Sequence, residues 1–513
     1  MNLTDTIDKG WAHHPDRMCL RPTDGSPSWT YDEVGEMTHR IAAALLRSGV
    51  GPGDRVGVLS GNHPLALMTM LAVARADAVY VPLNPSSTAS EMAPLVELTE
   101  ARVLLYEPVL GAKVAALREA LQHDLMGIRL VPGDVDCDDA VLDELLGPVG
   151  CRVPQPRAGG EDPAWMAGTG GTTGSPKAVI IPHRALMTQT LGFLAHMPDE
   201  QPVQLAAAPL THAAGALTLP VLMQGGTTVI HRGVDVASIM ADIERFRVTR
   251  LFLPPTAIYS MLAHPAAGQH DYSSLKYFLY GAAPMSTDKL LEARRVFGPV
   301  MTQFYGQSEA PMLCTFMSPQ DHEEAFTDPT KASRLASAGR ESLIAQVAIL
   351  DRSGSRLPPG EVGEIAVRTD LRMIGYLGSP EETASVDRGD GWLGTSDLGK
   401  MDADGFVHIV DRERDMIITG GFNVYPSEVE RVLLSVPEIR DCAVIGVPDP
   451  YWGEAVTACV EFIDGSEVAS EALIDLCKQA LGSVKAPKRI IVRDLPRSSV
   501  GKVLKRDLRA EYR

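Results

Sequence analysis

Apolar positions along the first part of the chain alternate between two kinds of pattern. Over residues 31–48 they fall at Val34, Met37, Ile41, Ala44 and Leu45, the spacing of an amphipathic helix, and Gly49 and Gly51 end it. Residues 55–60 form a short apolar run that predicts a buried strand, 64–78 (rich in Ala, Leu and Met) a helix, and 79–83 another strand. The alternation continues with a helix over 91–100, a strand over 102–107 and a helix over 113–122. Strands and helices joined by short turns imply an α/β parallel sheet covered on both faces. Residues 133–162, rich in Pro, Gly and Asp, read as a surface crossover.

Next comes the stretch Trp165 to Val179, WMAGTGGTTGSPKAV. Glycines at 168, 170, 171 and 174 permit positive φ and let backbone N–H groups converge on an anion. Thr169, Thr172 and Thr173 add hydroxyls and Lys177 adds a charge, a set suited to polyphosphate oxygens. It differs from the common P-loop, which has Gly before the Lys and Ser or Thr after it. Here Pro176 precedes Lys177 and Ala178 follows.

The chain has 513 residues, more than one hydrophobic core supports, so two or more domains are expected. A net charge of −18 argues against nucleic acid as a partner but leaves local anion sites open. The seven cysteines are scattered with no C-x-x-C, which reads as reduced thiols in a cytoplasmic protein without a zinc site. The acidic N-terminus lacks the apolar core of a signal peptide. Residues 202–230 hold no Asp, Glu, Lys or Arg, yet Pro209, His212, Pro220, Gln224 and Gly225-Gly226 interrupt them. A buried strand–turn–helix is expected there, and no integral membrane span.

Further motifs follow strand-like runs. His212 lies just past an apolar strand among Thr211, Ala213, Ala214 and Gly215, which suggests open space near a ring. Residues 250–262 and 276–284 read as two more strand-like runs, the second ending in Gly281-Ala282-Ala283-Pro284, where small side chains admit a flat ring. The stretch MTQFYGQSE over 301–309 ends in an aromatic, a glycine and a carboxylate: Tyr305 suits a base, and Glu309 suits Mg²⁺.

With these motifs in this order, the chain resembles the adenylate-forming enzymes: acyl-CoA synthetases, peptide-synthetase adenylation domains and luciferases. The family's S-G-T-T-G-x-P-K-G is similar to Gly170-Gly171-Thr172-Thr173-Gly174-Ser175-Pro176-Lys177-Ala178, with Gly170 in place of Ser and Ala178 in place of Gly. Its Y-G-x-T-E is similar to Tyr305-Gly306-Gln307-Ser308-Glu309, and its T-G-D to Thr395-Ser396-Asp397. The block over 411–430, DRERDMIITGGFNVYPSEVE, resembles a long family segment, and Pro496 to Lys502 resembles its P-x-T-x-x-G-K.

The resemblance implies a large N-terminal domain over 1–411 with parallel-sheet α/β subdomains, a hinge over 412–415, and a small mobile α+β C-terminal domain over 416–513. Within the latter, helices are expected over 426–436 and 471–481, strands over 440–447, 455–463 and 489–493, and a last helix after Lys502.

It also implies roles. Thr169, Gly170, Gly171, Thr172, Thr173, Gly174 and Lys177 would hold ATP phosphates. Gly281, Ala282, Ala283, Tyr305, Gly306 and Ser308 would hold adenine, and Asp397 and Arg412 the ribose. Glu309 would hold Mg²⁺. Lys502 would be the catalytic ammonium, with His212 beside the acid, and Arg414 would be the hinge. Gly420 and Gly421 would line the thiol tunnel. The acyl pocket would comprise His212, Ala213, Gly215, Thr256, Tyr259, Gln307 and Met312.

The implied activity is ATP-dependent acid–CoA ligation through an acyl-adenylate, with ATP, Mg²⁺ and coenzyme A. Since no acid pairs with an amine in this set, an apolar fatty, alicyclic or aryl acid is expected. A stand-alone enzyme loading a carrier-protein phosphopantetheine, an oxygenase like the luciferases, and a non-catalytic nucleotide-binding relative are the alternatives. The sequence leaves the oligomeric state open, a homodimer included.

Overall fold

The computed structural model describes residues 1–133, 137–169, 177–497 and 503–512. By packing, the chain divides into two compact units. The first comprises Met1–Val347, Val367–Leu393 and Gly405–Val407; the second comprises Ala348–Ala366, Gly394–Asp404 and His408–Arg513. The second unit thus takes in segments upstream of residue 411, the expected end of the large domain. Most of the strands Gly363–Thr369, Leu393–Met401 and Val407–Arg412, neighbours in a sheet with Ala345–Leu350, belong to it.

The first unit holds two large sheets. One runs, in spatial order, Arg340–Glu341, Ala310–Met317, Met301–Gln307, Tyr277–Tyr280, Arg250–Phe252, Val203–Ala206, Thr227–Ile230, Met18–Pro22 and Trp29–Thr30. Its six middle strands, from Met301–Gln307 to Met18–Pro22, are parallel. The other runs Gly375–Tyr376, Lys177–Pro182, Pro163–Thr169, Val79–Leu83, Arg55–Leu59, Val103–Tyr106, Met126–Arg129 and Ala140–Val141. It is parallel from Pro163–Thr169 onward, with an antiparallel edge formed by Lys177–Pro182 and Gly375–Tyr376.

The helices form where the apolar period sets them. Tyr31–Arg47 starts in a capping box between Thr30 and Glu33 and buries Val34, Met37, Ile41, Ala44 and Leu45. Pro64–Arg75 has Pro at its start, where the missing N–H costs nothing, and is buried nearly throughout. Residues 202–230 fold as expected: the strand Val203–Ala206, the helix Ala213–Met223 and the strand Thr227–Ile230. Among the described residues no helix is long and apolar enough to cross a membrane.

Two expectations are corrected. The run 250–262 is a strand only over Arg250–Phe252; Pro254 and Pro255 end it, and Pro255 opens the helix Pro255–Ala263. The crossover 133–162 is not wholly irregular, since Ala140–Val141 adds an edge strand and Leu142–Leu145 a short helix.

In the second unit, the antiparallel strands Ile439–Asp449 and Gly453–Phe462 form the centre of a sheet flanked by Ile417–Thr419, Phe422–Val424 and Arg489–Val492. The helices Pro426–Leu433 and Ser470–Leu481 contribute Val429, Leu433, Leu473 and Cys477 to a core with Val444, Val456 and Val460. This is the expected α+β fold.

Candidate active site

Four neighbouring parallel strands release their chains at one sheet edge. After Tyr277–Tyr280 comes Gly281; after Met301–Gln307, Ser308 and Glu309; after Arg250–Phe252, the turn into Pro255–Ala263; after Val203–Ala206, the loop to His212. The carboxyl ends of parallel strands are where open α/β sheets bind ligands. The fold therefore brings the adenine candidates Gly281, Ala282, Ala283, Tyr305, Gly306 and Ser308 to the edge that also carries Glu309, Gln307, Thr256, Tyr259 and His212.

Close backbone approach shapes this edge. Gly281 is buried, and a Cβ there would lie 3.0 Å from the Phe304 carbonyl oxygen and 3.2 Å from its ring. Ala282 and Met312 adopt φ of +65° and +58°, a conformation L-residues rarely hold and one that concentrates at functional sites. Met312 packs against Gly306, where a Cβ would meet the Met312 backbone at 2.5 Å. Beneath, Tyr280 Oη lies 2.8 Å from His322 Nε2 and 3.1 Å from Gln303 Oε1, and His322 Nδ1 lies 2.9 Å from the Ser318 carbonyl. Burial pushes the His322 pKa down to about 4, so the ring is neutral, donating from Nδ1 and accepting at Nε2.

His212 is exposed, with Nδ1 3.0 Å from the Thr211 hydroxyl, and desolvation by neighbouring protein holds its pKa below the ordinary value. Its turn is fixed from afar by the buried Asn62 side chain. Gly215 is small for packing: a Cβ would sit 2.0 Å from the Leu210 carbonyl oxygen. Ala213 is half-buried and Thr256 exposed. Tyr259 Oη accepts from the Ser286 N–H at 3.0 Å, tying the helix Pro255–Ala263 to the segment after Gly281.

The glycine-rich loop is closed at its neck by the antiparallel pair Thr169↔Lys177. Gly170, Gly171, Thr172, Thr173 and Gly174, and the side chain of Thr169, lie outside the described residues. Lys177 Nζ lies 3.1 Å from Glu382 Oε2 and 4.8 Å from the centre of the Tyr376 ring. Tyr376 Oη donates to Glu309 Oε1 at 2.7 Å. Desolvation and the Glu309 charge drive the Tyr376 pKa well up, so its proton stays in that bond.

In the second unit, Arg412 Nε lies 3.3 Å from Asp397 Oδ1, joining the two ribose candidates. Ser396 before Asp397 has φ +59°, and its N–H donates to Glu364 Oε1 at 3.0 Å. Arg414 sits in the short turn Glu413–Asp415, whose Asp415 is held by Arg509 at 2.8 Å. Gly420 and Gly421 have φ of +56° and +82° and form the two-residue turn between Ile417–Thr419 and Phe422–Val424. Positive φ at both centres is itself a demand for glycine. Lys502 lies outside the described residues; the segment containing it is bracketed by the Arg497↔Val503 bridge and a 2.8 Å bond from Leu504 N–H to the Pro496 carbonyl.

Sequence reasoning missed Asn62, Tyr376, Glu382 and His322. None belongs to a motif, and each meets its partner through chain folding rather than proximity in sequence.

The molecule combines a two-sheet α/β unit, with the candidate contacts at its strand tips, and a second unit that holds an α+β fold. Residues 7–377 match the family described as AMP-binding enzyme, and residues 428–502 match the AMP-binding enzyme C-terminal domain. The chain belongs to this family, the adenylate-forming acyl-CoA synthetases. It is 38% identical to a medium/long-chain-fatty-acid–CoA ligase of Mycobacterium tuberculosis, over 93% of this chain and 85% of the relative. It is 37% identical to a feruloyl-CoA synthase of an Amycolatopsis species, over 95% of both chains. Among solved structures, the amide bond synthetase McbA of Marinactinospora thermotolerans matches with a TM-score of 0.88 and 31% identity, covering 100% of both chains.

Proposed function

We propose that this chain is an ATP-dependent carboxylic acid–CoA ligase, forming an acyl-adenylate and pyrophosphate, then acyl-CoA and AMP. The observation that carries the reading is one sheet edge, where Tyr305 lies near the end of its strand and Gly281, Glu309 and His212 follow neighbouring strands.

In the first step a weakly nucleophilic carboxylate meets an anionic phosphate, so the protein's work is alignment and charge cancellation. Gly281, Ala282, Ala283, Tyr305, Gly306 and Ser308 serve adenine. Asp397 and Arg412 serve the ribose hydroxyls, which a carboxylate accepts. Thr169 to Gly174 and Lys177 hold the phosphates and the departing pyrophosphate. Lys502 bridges the acid carboxylate and the adenylate oxygens.

The residues present fit Mg²⁺. One Glu309 oxygen is fixed by Tyr376, and among the described residues its Oε2 accepts no hydrogen bond, leaving a hard oxygen for the ion. Bound there, Mg²⁺ would screen phosphate charge. Among the described residues no group of three His, Cys, Asp or Glu could hold a metal ion.

For the second step, a swing about Arg414 between the domains 1–411 and 416–513 removes Lys502 and admits the CoA thiol past Gly420 and Gly421. The acid is apolar: His212, Ala213, Thr256, Tyr259, Gln307 and Met312 carry no carboxylate and no fixed positive charge. The seven cysteines are all free, which supports a cytoplasmic setting.

Pyrophosphate release with MgATP across a panel of acids tests the reading. Release should require a hydrophobic monocarboxylic acid, and added CoA should yield the thioester. Absence of acid-dependent release would leave a nucleotide-binding protein. Transfer to a carrier-protein phosphopantetheine but not to CoA would reassign the acceptor.

A further inference from the structure

Two residues outside every motif hold the charged side chains assigned to the triphosphate. The short strand Gly375–Tyr376 pairs with Lys177–Pro182, placing Tyr376 opposite Val179. Around it, Leu377 N–H donates to the Ala178 carbonyl at 2.9 Å, Ile374 N–H to the Ile180 carbonyl at 2.9 Å, and Met373 N–H to the Glu309 carbonyl at 2.8 Å. Five residues thereby lace the strand that begins with Lys177 to the segment carrying Glu309.

Side chains complete the lacing. Tyr376 gives its hydroxyl to Glu309 and its ring face to the Lys177 ammonium. A cation over an aromatic face is attracted without being neutralised, so the Lys177 charge stays available. The helix Pro380–Ser385 is pinned alongside, because Thr383 Oγ1 accepts from Tyr376 N–H at 2.9 Å. This contact requires Gly375, whose Cβ would lie 2.8 Å from the Thr383 methyl. Pinning the helix brings Glu382 to Lys177. The two side chains remain 38% and 24% exposed, so their ion pair is weak and exchangeable.

We propose that Tyr376 and Glu382 are positioning residues of the triphosphate subsite: Tyr376 fixes Glu309 and Lys177 about one ring, and Glu382 is the resident counter-anion that nucleotide phosphates displace from Lys177. The inference rests on the ligase reading. A β- or γ-phosphate oxygen arriving at Lys177 repels Glu382, and the helix carries that carboxylate while Tyr376 keeps the ammonium in place. Glu382 therefore weakens triphosphate binding and is silent toward AMP.

Calorimetry of the wild type, Glu382→Gln and Tyr376→Phe with a magnesium-bound, non-hydrolysable ATP analogue and with AMP tests this. Glu382→Gln should bind the analogue about two- to fivefold more tightly, the size of an exposed ion pair. Tyr376→Phe, which removes only a hydroxyl, should bind it about three- to tenfold more weakly and need more Mg²⁺ for half-saturation. AMP affinity should be unchanged in both. A wild type that binds neither nucleotide overturns the ligase reading itself. A wild type that binds both, with identical affinities in the variants, overturns only this inference. Weaker analogue binding by Glu382→Gln removes Glu382 from the role, and equal loss of analogue and AMP in Tyr376→Phe reduces that hydroxyl to a structural support.

Discussion

Asn62 clasps the backbone around Leu210: its Oδ1 accepts the Leu210 N–H at 2.8 Å, and its Nδ2 donates to the carbonyls of Ala207 and Ala208 at 3.1 and 3.0 Å. The side chain is 3% exposed. Three backbone groups on the way to His212 thus depend on one amide. Asn62→Leu leaves them unpaired, and unsatisfied buried groups cost about 1–3 kcal/mol each. The melting temperature should fall, and KM for the acid should rise more than KM for ATP because His212 is displaced. Equal changes in both KM values would show that the amide supports the fold without setting the acid site.

The His322 ring gives a stability term with a definite pH window. Its folded pKa of about 4 lies below the ordinary 6.5, so below pH 6.5 the unfolded chain gains a proton that the folded chain refuses. This contribution is present above pH 6.5 and is lost as pH falls from 6.5 to about 4, by at most about 3 kcal/mol. Thermal unfolding of wild type and His322→Gln between pH 7.5 and pH 4.5, values set by that window, checks it. The wild type should lose stability more steeply on acidification; parallel curves would count against a neutral buried ring.

Gly420 and Gly421 invite a backbone test. An L-residue in the left-handed region costs about 1–2 kcal/mol, so Gly421→Ala should loosen the hairpin by that amount. Gly420→Ala should loosen it further, because its Cβ would lie 3.2 Å from the Trp452 ring. Hydrogen exchange of the amides over Ile417–Val424 reads the effect. Unchanged protection in both variants would remove the conformational reason for the glycine pair.

If Lys502 has the proposed role of joining carboxylate and phosphate, Lys502→Ala should abolish adenylate formation while sparing thioester formation from supplied acyl-adenylate. Separate assays of the two half-reactions decide this; equal loss of both would contradict the role.

Much of the scaffold was legible in the sequence because burial imposes periodicity. The helix expected over 31–48 is observed as Tyr31–Arg47, and the strand expected over 79–83 as Val79–Leu83. The run 250–262 misled because its apolar residues continue through Pro254 and Pro255, where the chain changes from strand to helix without a change in hydrophobicity. The strand Gly375–Tyr376 is too short to carry a period, yet it delivers Tyr376 to Lys177 and Glu309. Its partners lie 199 and 67 positions away in sequence, so nothing local could announce them. Motifs located the charged groups; the folded chain shows which side chains pack against them.

Because the candidate contacts hang from the tips of neighbouring parallel strands, taste and framework are separable. If Thr256 and Gln307 contact the acid as proposed, their side chains can change to suit longer, flatter or bulkier acids while the hydrogen-bonded ladder behind them stays untouched. A library confined to those tips should therefore retune selectivity at little cost to folding.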